Sequence, residues 1–166
     1  MMDNKSHEFY MKKALTLAAK ACSKMETPVG CVIVRDDTVI AGGYNQREGG
    51  QDVTLHAEMT AIREACKKTG SWRLDGCDMY VTLEPCIMCA GAIQQAKIRK
   101  VYFGAVQPKS GGIVSKAKIF DLPLNHKVEY EGGLLSEESA QIIDRFFREM
   151  RKQNSSSGLT KGQRRS

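Results

Sequence analysis

The segment Pro85-Cys86-Ile87-Met88-Cys89 stands one residue behind the run Met79-Tyr80-Val81-Thr82-Leu83, and that junction restricts the fold more than any other stretch of the chain. The run is short, apolar and rich in β-branched and aromatic residues, which predicts a buried strand. Proline is favoured at the first helical position, so Pro85 predicts a helix opening there and running to about Gln95. Thiols three residues apart then share one helical face, near the free N–H groups and positive dipole end that stabilise thiolates. A strand that feeds at once into such a helix belongs to a sheet covered by helices, the α/β class.

The rest of the chain alternates in the same way. Met11, Ala14, Leu15, Ala18 and Cys22 recur at helical spacing and predict a helix over 7–22, ended by Glu26-Thr27-Pro28. Val29 to Val34 predicts a buried strand, Asp36-Asp37 a turn, and Thr38 to Tyr44 the return strand of a hairpin. Residues 46–53 are expected to be loop. A helix over 55–68 follows, with Leu55, Met59, Ile62 and Cys66 roughly on one face. Val101-Tyr102-Phe103 predicts a strand, 106–115 a Gly/Ser/Lys loop, and Lys127 to Tyr130 one more short strand. Ser136 is the expected N-cap of a last helix that carries Ile142, Ile143, Phe146, Phe147 and Met150, with Glu137 and Glu138 suited to its first turn. There is no internal repeat. One domain over 1–152 and a basic, disordered tail over 153–166 is the expected division.

The 166 residues are 42% hydrophobic and 27% charged, close to ordinary globular averages, which excludes a collagen-like or largely disordered chain. No apolar run approaches the roughly 18–20 residues of a membrane span. Ala14 to Ala19, closed by Lys20, is too short for a signal peptide, so the cytoplasm is the expected compartment. The net charge of +6 is concentrated at one end: Arg151, Lys152, Lys161, Arg164 and Arg165 face no acid there, which leaves the first 150 residues near neutral. Such a tail suits a phosphate-rich partner, or is simply a solvated end. Of the six cysteines only Cys86 and Cys89 are close, which is a metal or redox pattern rather than a disulfide framework.

Chemistry gathers at two expected helix starts. His56-Ala57-Glu58 opens one, and Cys86 and Cys89 open the other. One imidazole and two thiolates suit Zn²⁺, and three protein ligands leave a fourth position open, as in catalytic zinc sites. Glu58, two residues from His56, is better read as the carboxylate that takes a proton from a zinc-activated water and hands it on. That is hydrolytic chemistry. Taken alone, the cysteine pair would also fit a redox site, or a structural zinc site completed by an isolated cysteine, His7 or His126.

H-x-E followed by P-C-x-x-C is the signature of the zinc-dependent nucleobase deaminases. Beyond it, Pro28 to Val34, Tyr44-Asn45, Ser71 to Leu74, Tyr80 to Ala92, Tyr102 to Ala105, Asn125-His126 and Phe146-Phe147-Arg148 resemble the bacterial tRNA adenosine deaminases over about residues 8–152. The resemblance implies a three-layer α/β/α cytidine-deaminase-like fold with a mostly five-stranded mixed central sheet. It implies a cytoplasmic homodimer with one Zn²⁺ per chain, and conversion of the wobble adenosine (position 34) of tRNA, an arginine tRNA with anticodon ACG, to inosine. His56, Cys86 and Cys89 would then hold the zinc. Glu58 would protonate N1 of adenine while the water attacks C6, and would pass a proton to the departing ammonia. Substrate contacts carried over are Val29, Asn45, Gln107, Lys109, Phe147 and Arg148. The chain departs from the family pattern at Leu55, at Gln107, where an aspartate is usual, and at Ile113-Val114-Ser115-Lys116. Leu55 is expected to narrow the pocket mouth. These departures bear on substrate, so deamination of a free base or nucleoside (guanine, adenine or cytosine) stands as the alternative. A non-catalytic binding protein would have no reason to keep Glu58.

Overall fold

A computed structural model of the protein describes residues 3–158. Its elements are α1 (Asn4–Ser23), β1 (Gly30–Arg35), β2 (Thr38–Tyr44), a one-turn helix α2 (Arg47–Gly50), α3 (Ala57–Thr69), β3 (Asp78–Leu83), α4 (Ile87–Gln95), β4 (Lys100–Ala105), β5 (Glu129–Gly132) and α5 (Ser136–Ser156). The strands form one mixed sheet in the order β2-β1-β3-β4-β5. β1 is antiparallel to β2 and β3, while β3, β4 and β5 run parallel. The three-layer α/β/α arrangement expected from the resemblance is the one found.

Strand alternation sorts the core into two halves. Cys31, Ile33, Met79, Val81, Val101 and Phe103 face one side, where Ala57, Ala61 and Ala65 of α3 and Ala90 and Ile93 of α4 pack on them. Val32, Val34, Tyr80 and Tyr102 face the other, under Tyr10, Met11 and Ala14 of α1. Tyr80 and Tyr102 stack with centroids 4.8 Å apart, and Tyr80 shares a 2.7 Å hydrogen bond with His7 Nδ1. That bond gives the buried phenol the partner it needs. Among the described residues no helix is long and apolar enough to cross a membrane.

Several boundaries differ from the expected ones, each for a local reason. Residues 47–50 form a helical turn because the buried Glu26 carboxylate accepts the Glu48 and Gly49 N–H groups at 3.1 and 2.6 Å. Cys86, not Pro85, is the residue before the first turn of α4; its carbonyl accepts from Ala90 N–H, and Pro85 lies one position further out. Ser136 is already helical. Leu135 takes the cap position at φ 52°, held there because Leu134 and Leu135 pack on the Tyr80–Tyr102 side of the core. The helix α5 runs through Ser156, so the expected boundary after residue 152 falls inside it; residues 159–166 of the expected tail lie outside the described residues.

Candidate active site and metal centre

The strand directions decide where the site lies. β1 runs opposite to β2, β3 and β4, so the start of β1 and the ends of the other three share one edge of the sheet. Val29 precedes β1, Asn45 follows β2, Glu84 follows β3, and Gln107 lies two residues past β4. Positions far apart in sequence are thus collected without a long-range motif to announce them. The starts of α3 and α4 complete the edge.

α3 lies directly on β2. A Cβ at Gly43 would fall 2.5 Å from the Ala57 carbonyl oxygen, so only glycine permits this approach, and the approach fixes the height of His56 and Glu58. His56 is the N-cap of α3 and Cys86 that of α4; neither side chain caps its own helix, which leaves both free to face each other. Cys89, buried in the first turn of α4, completes a group whose ligand atoms all lie within 4.8 Å of one another. His56 Nδ1 is 3.7 Å from Cys86 Sγ and 3.6 Å from Cys89 Sγ. A tetrahedral zinc with bonds of about 2.3 Å to sulfur and about 2.05 Å to nitrogen needs N···S edges of about 3.6 Å. The donor set therefore fits zinc in both chemistry and spacing.

The electrostatics agree with a site built for proton transfer beside a thiolate, Cys86. Hydrogen bonds from Cys89 and His56 pull the Cys86 thiol down to about 4 against its burial, while the Cys86 sulfur and burial push Cys89 up. The bond with Cys86 raises His56. Burial raises the Glu58 carboxyl to about 7, and the side chain is only 4% exposed. A carboxyl poised there can both take and give a proton near neutral pH.

His56, Glu58 and Cys86 open into a cavity of about 270 Å³ that Val29, Asn45, Gln107 and Phe147 also line. Most of the residues singled out from the sequence thus share one cavity, and Cys89 sits behind its wall with the other two metal-capable groups. Asn45 is 8% exposed; its Nδ2 donates to the Thr27 carbonyl at 3.4 Å and its Oδ1 accepts from Arg47 N–H. Lys109 and Arg148 do not line the cavity. They flank an adjoining groove with Asp144, Arg151 and Phe147, the last 43% exposed and common to both. Leu55 does not narrow the mouth: it packs against Gly50 of α2 and is absent from the lining. Sequence reasoning missed Thr27, Arg47, Leu83, Glu84, Ser110 and Ile143 as lining residues. Thr27, Arg47, Leu83 and Glu84 lie within three residues of a strand end, which is the one signal they carry; Ser110 and Ile143 carry none.

The profile of the cytidine and deoxycytidylate deaminase zinc-binding region matches residues 4–105. The tRNA-specific adenosine deaminase of Bacillus subtilis (strain 168) is 46% identical over 146 residues, which is 87% of this chain and 91% of that protein. A solved structure from work on A-to-I editing by tRNA:A34 deaminases at the wobble position superposes with a TM-score of 0.79 at 45% identity, over 81% of this chain and 98% of that one. A guanine deaminase from Nitrosomonas europaea has the same fold at 20% identity, with a TM-score of 0.74 over 84% of this chain and 83% of that one.

Proposed function

The chain belongs to the cytidine and deoxycytidylate deaminase family, in the group of the tRNA-specific adenosine deaminases, and from that membership we propose that it converts the wobble adenosine of an ACG-anticodon arginine tRNA to inosine. It is a zinc-dependent deaminase. The observation that carries the reading is the buried Glu58 carboxyl beside the His56/Cys86/Cys89 group, at a cavity of about 270 Å³ that can admit a base and is flanked by a groove bearing Lys109, Arg148 and Arg151.

In this reading His56, Cys86 and Cys89 hold the zinc, one per chain. When bound, zinc acts as a Lewis acid that makes a water acidic near neutral pH. Glu58 would take one proton from the attacking water and deliver it to N1 of adenine as the C6–O bond forms, then take the proton of the new C6 hydroxyl and hand it to the amine, so that the C6–N bond breaks, ammonia leaves and C6 becomes a carbonyl. Asn45 offers an amide to the base edge, Val29 an apolar wall, Gln107 a polar contact on the loop side, and Phe147 a ring at the mouth. Lys109 and Arg148, with Arg151, meet the phosphates of the flanking nucleotides. The compartment this implies is the cytoplasm, with a catalytic domain that takes in the whole of α5.

The test compares an ACG anticodon stem-loop with adenosine, adenine, guanine and cytidine. Extruding a base costs a few kcal/mol, which flanking contacts must offset, so the stem-loop is expected to exceed each small substrate in kcat/KM by about 100-fold or more. Asn45→Ala should lower stem-loop turnover by about ten-fold, one hydrogen bond's worth, with zinc retained. Ammonia released rapidly from free guanine or cytosine, with no inosine in the stem-loop, would transfer the protein to the free-base reading that the Nitrosomonas europaea fold leaves open.

The proposal includes a homodimer. The outer face of α4 supports it: Ile87 is 55% exposed beside Cys86, and Gly91, one turn on, has open space where a Cβ would stand. Light scattering should give twice the 18.4 kDa chain mass, and Ile87→Lys should shift the protein toward the monomer. A wild-type monomer at assay concentration would reject this part.

A further inference from the structure

We infer that Glu84 is a positioning residue whose buried carboxylate gathers the loop between β4 and β5 into one wall of the cavity, an inference that rests on the deaminase reading above. Glu84 leaves β3 two residues before Cys86 and is 2% exposed. One of its oxygens accepts the Gln107 N–H at 3.1 Å and the Ser115 hydroxyl; the other accepts the Ile113, Val114 and Ser115 N–H groups at 3.1, 3.0 and 3.1 Å. No lysine, arginine or histidine among the described residues pairs with it. Three successive N–H groups turned on one oxygen make an anion nest, here filled by the chain's own carboxylate.

A carboxylate has about four lone-pair sites, and five donors saturate them. Although it lines the cavity, Glu84 keeps no acceptor for a substrate, so its effect must pass through what it holds. What it holds is the segment bearing Gln107, Lys109 and Ser110. The same segment is seated on the metal side: Gly112 N–H donates to the Pro85 carbonyl at 2.7 Å, and Gly111 bridges to Cys86. A Cβ at Gly111 would overlap the Glu84 carboxylate, so glycine is what admits this contact. The loop is otherwise a long connection whose regular structure is limited to the turn Ile119–Asp121. Glu84 thus couples the substrate wall to the main chain of Cys86, while the Cys86 and Cys89 sulfurs turn to His56 and not to the loop.

The test uses the zinc-loaded full chain, wild type, Glu84→Gln and Ser115→Ala. The glutamine swaps an acceptor for an NH₂ that faces N–H donors. It should raise KM for the ACG stem-loop about ten-fold and leave kcat within about three-fold, with one zinc per chain and amide exchange over 107–115 accelerated about ten-fold or more. Ser115→Ala removes one donor of five and keeps the carboxylate; KM and exchange should shift the same way by about two- to five-fold. A fall in kcat at unchanged KM, loss of zinc, or unchanged exchange in 107–115 would overturn the inference. Should Glu84→Gln fail to fold, the exchange and KM of Ser115→Ala decide alone. Should wild type leave the stem-loop untouched, the proposed substrate fails while the exchange measurement still judges Glu84.

Discussion

Glu58→Ala is expected to keep the fold and the zinc and to lose stem-loop deamination by about 1,000-fold or more, since general acid–base groups contribute about 10²–10⁴-fold and this one would serve several proton transfers in turn. The side chain lies in the first turn of α3, buried, with its carboxyl raised to about 7 by that burial. Alanine is the best helix former and removes a carboxyl whose burial is unfavourable, so the melting temperature should hold or rise. Glu58→Gln separates proton from volume: it keeps the shape and polarity and should be as inactive as the alanine. Inosine is read by mass spectrometry of nuclease digests and metal by elemental analysis. Turnover of either variant within ten-fold of wild type would remove Glu58 from the proton path.

How much of this site is legible in the sequence depends on the kind of signal. His56, Glu58, Cys86 and Cys89 announce themselves because metal chemistry demands particular atoms at particular helical offsets, and the fold brings those atoms together. The strands are legible for a similar reason. A buried sheet has two apolar faces, so β1 and β3 are written as short, nearly continuous apolar runs, and strand alternation alone then sends Val32 and Ile33 to opposite halves of the core. Glu26 and Glu84 are not legible. A glutamate at a strand or helix end reads as a solvated residue, and what buries these two is a set of backbone N–H groups, which leave no mark in sequence. The cap positions shift for a related reason: at Leu135, packing of an apolar side chain outweighs the hydroxyl chemistry that favours Ser136. Leu55 misleads because its neighbour is α2, a turn that the loop-like composition of 46–53 conceals.

Cys86→Ser and Cys89→Ser should each abolish zinc binding and turnover, yet differ in what they do to the chain itself. Serine offers a neutral hydroxyl where zinc requires a thiolate, so metal content should fall from one per chain to near zero after dialysis. Because metal binding is folding free energy, both variants should melt well below zinc-loaded wild type. The comparison that separates the two positions is made with chelator present. Cys89 is fully buried in the first turn of α4 with its sulfur 3.6 Å from His56 Nδ1, and a serine hydroxyl, on a shorter bond than the sulfur, draws back from that partner while staying buried. That should cost about 1–3 kcal/mol relative to chelated wild type. Cys86 is half-buried and is the N-cap of α4, where no side chain caps the helix. Serine is a preferred cap, so chelated Cys86→Ser should equal chelated wild type or exceed it by up to about 1 kcal/mol. Serine at Cys22 or Cys66, away from the cavity, should leave zinc content unchanged. Full zinc in both active-site variants would mean that the ligands lie elsewhere. Equal stability of the two under chelation would mean that α4 does not begin at Cys86 in solution, and with it would go the geometry that turns both sulfurs toward His56.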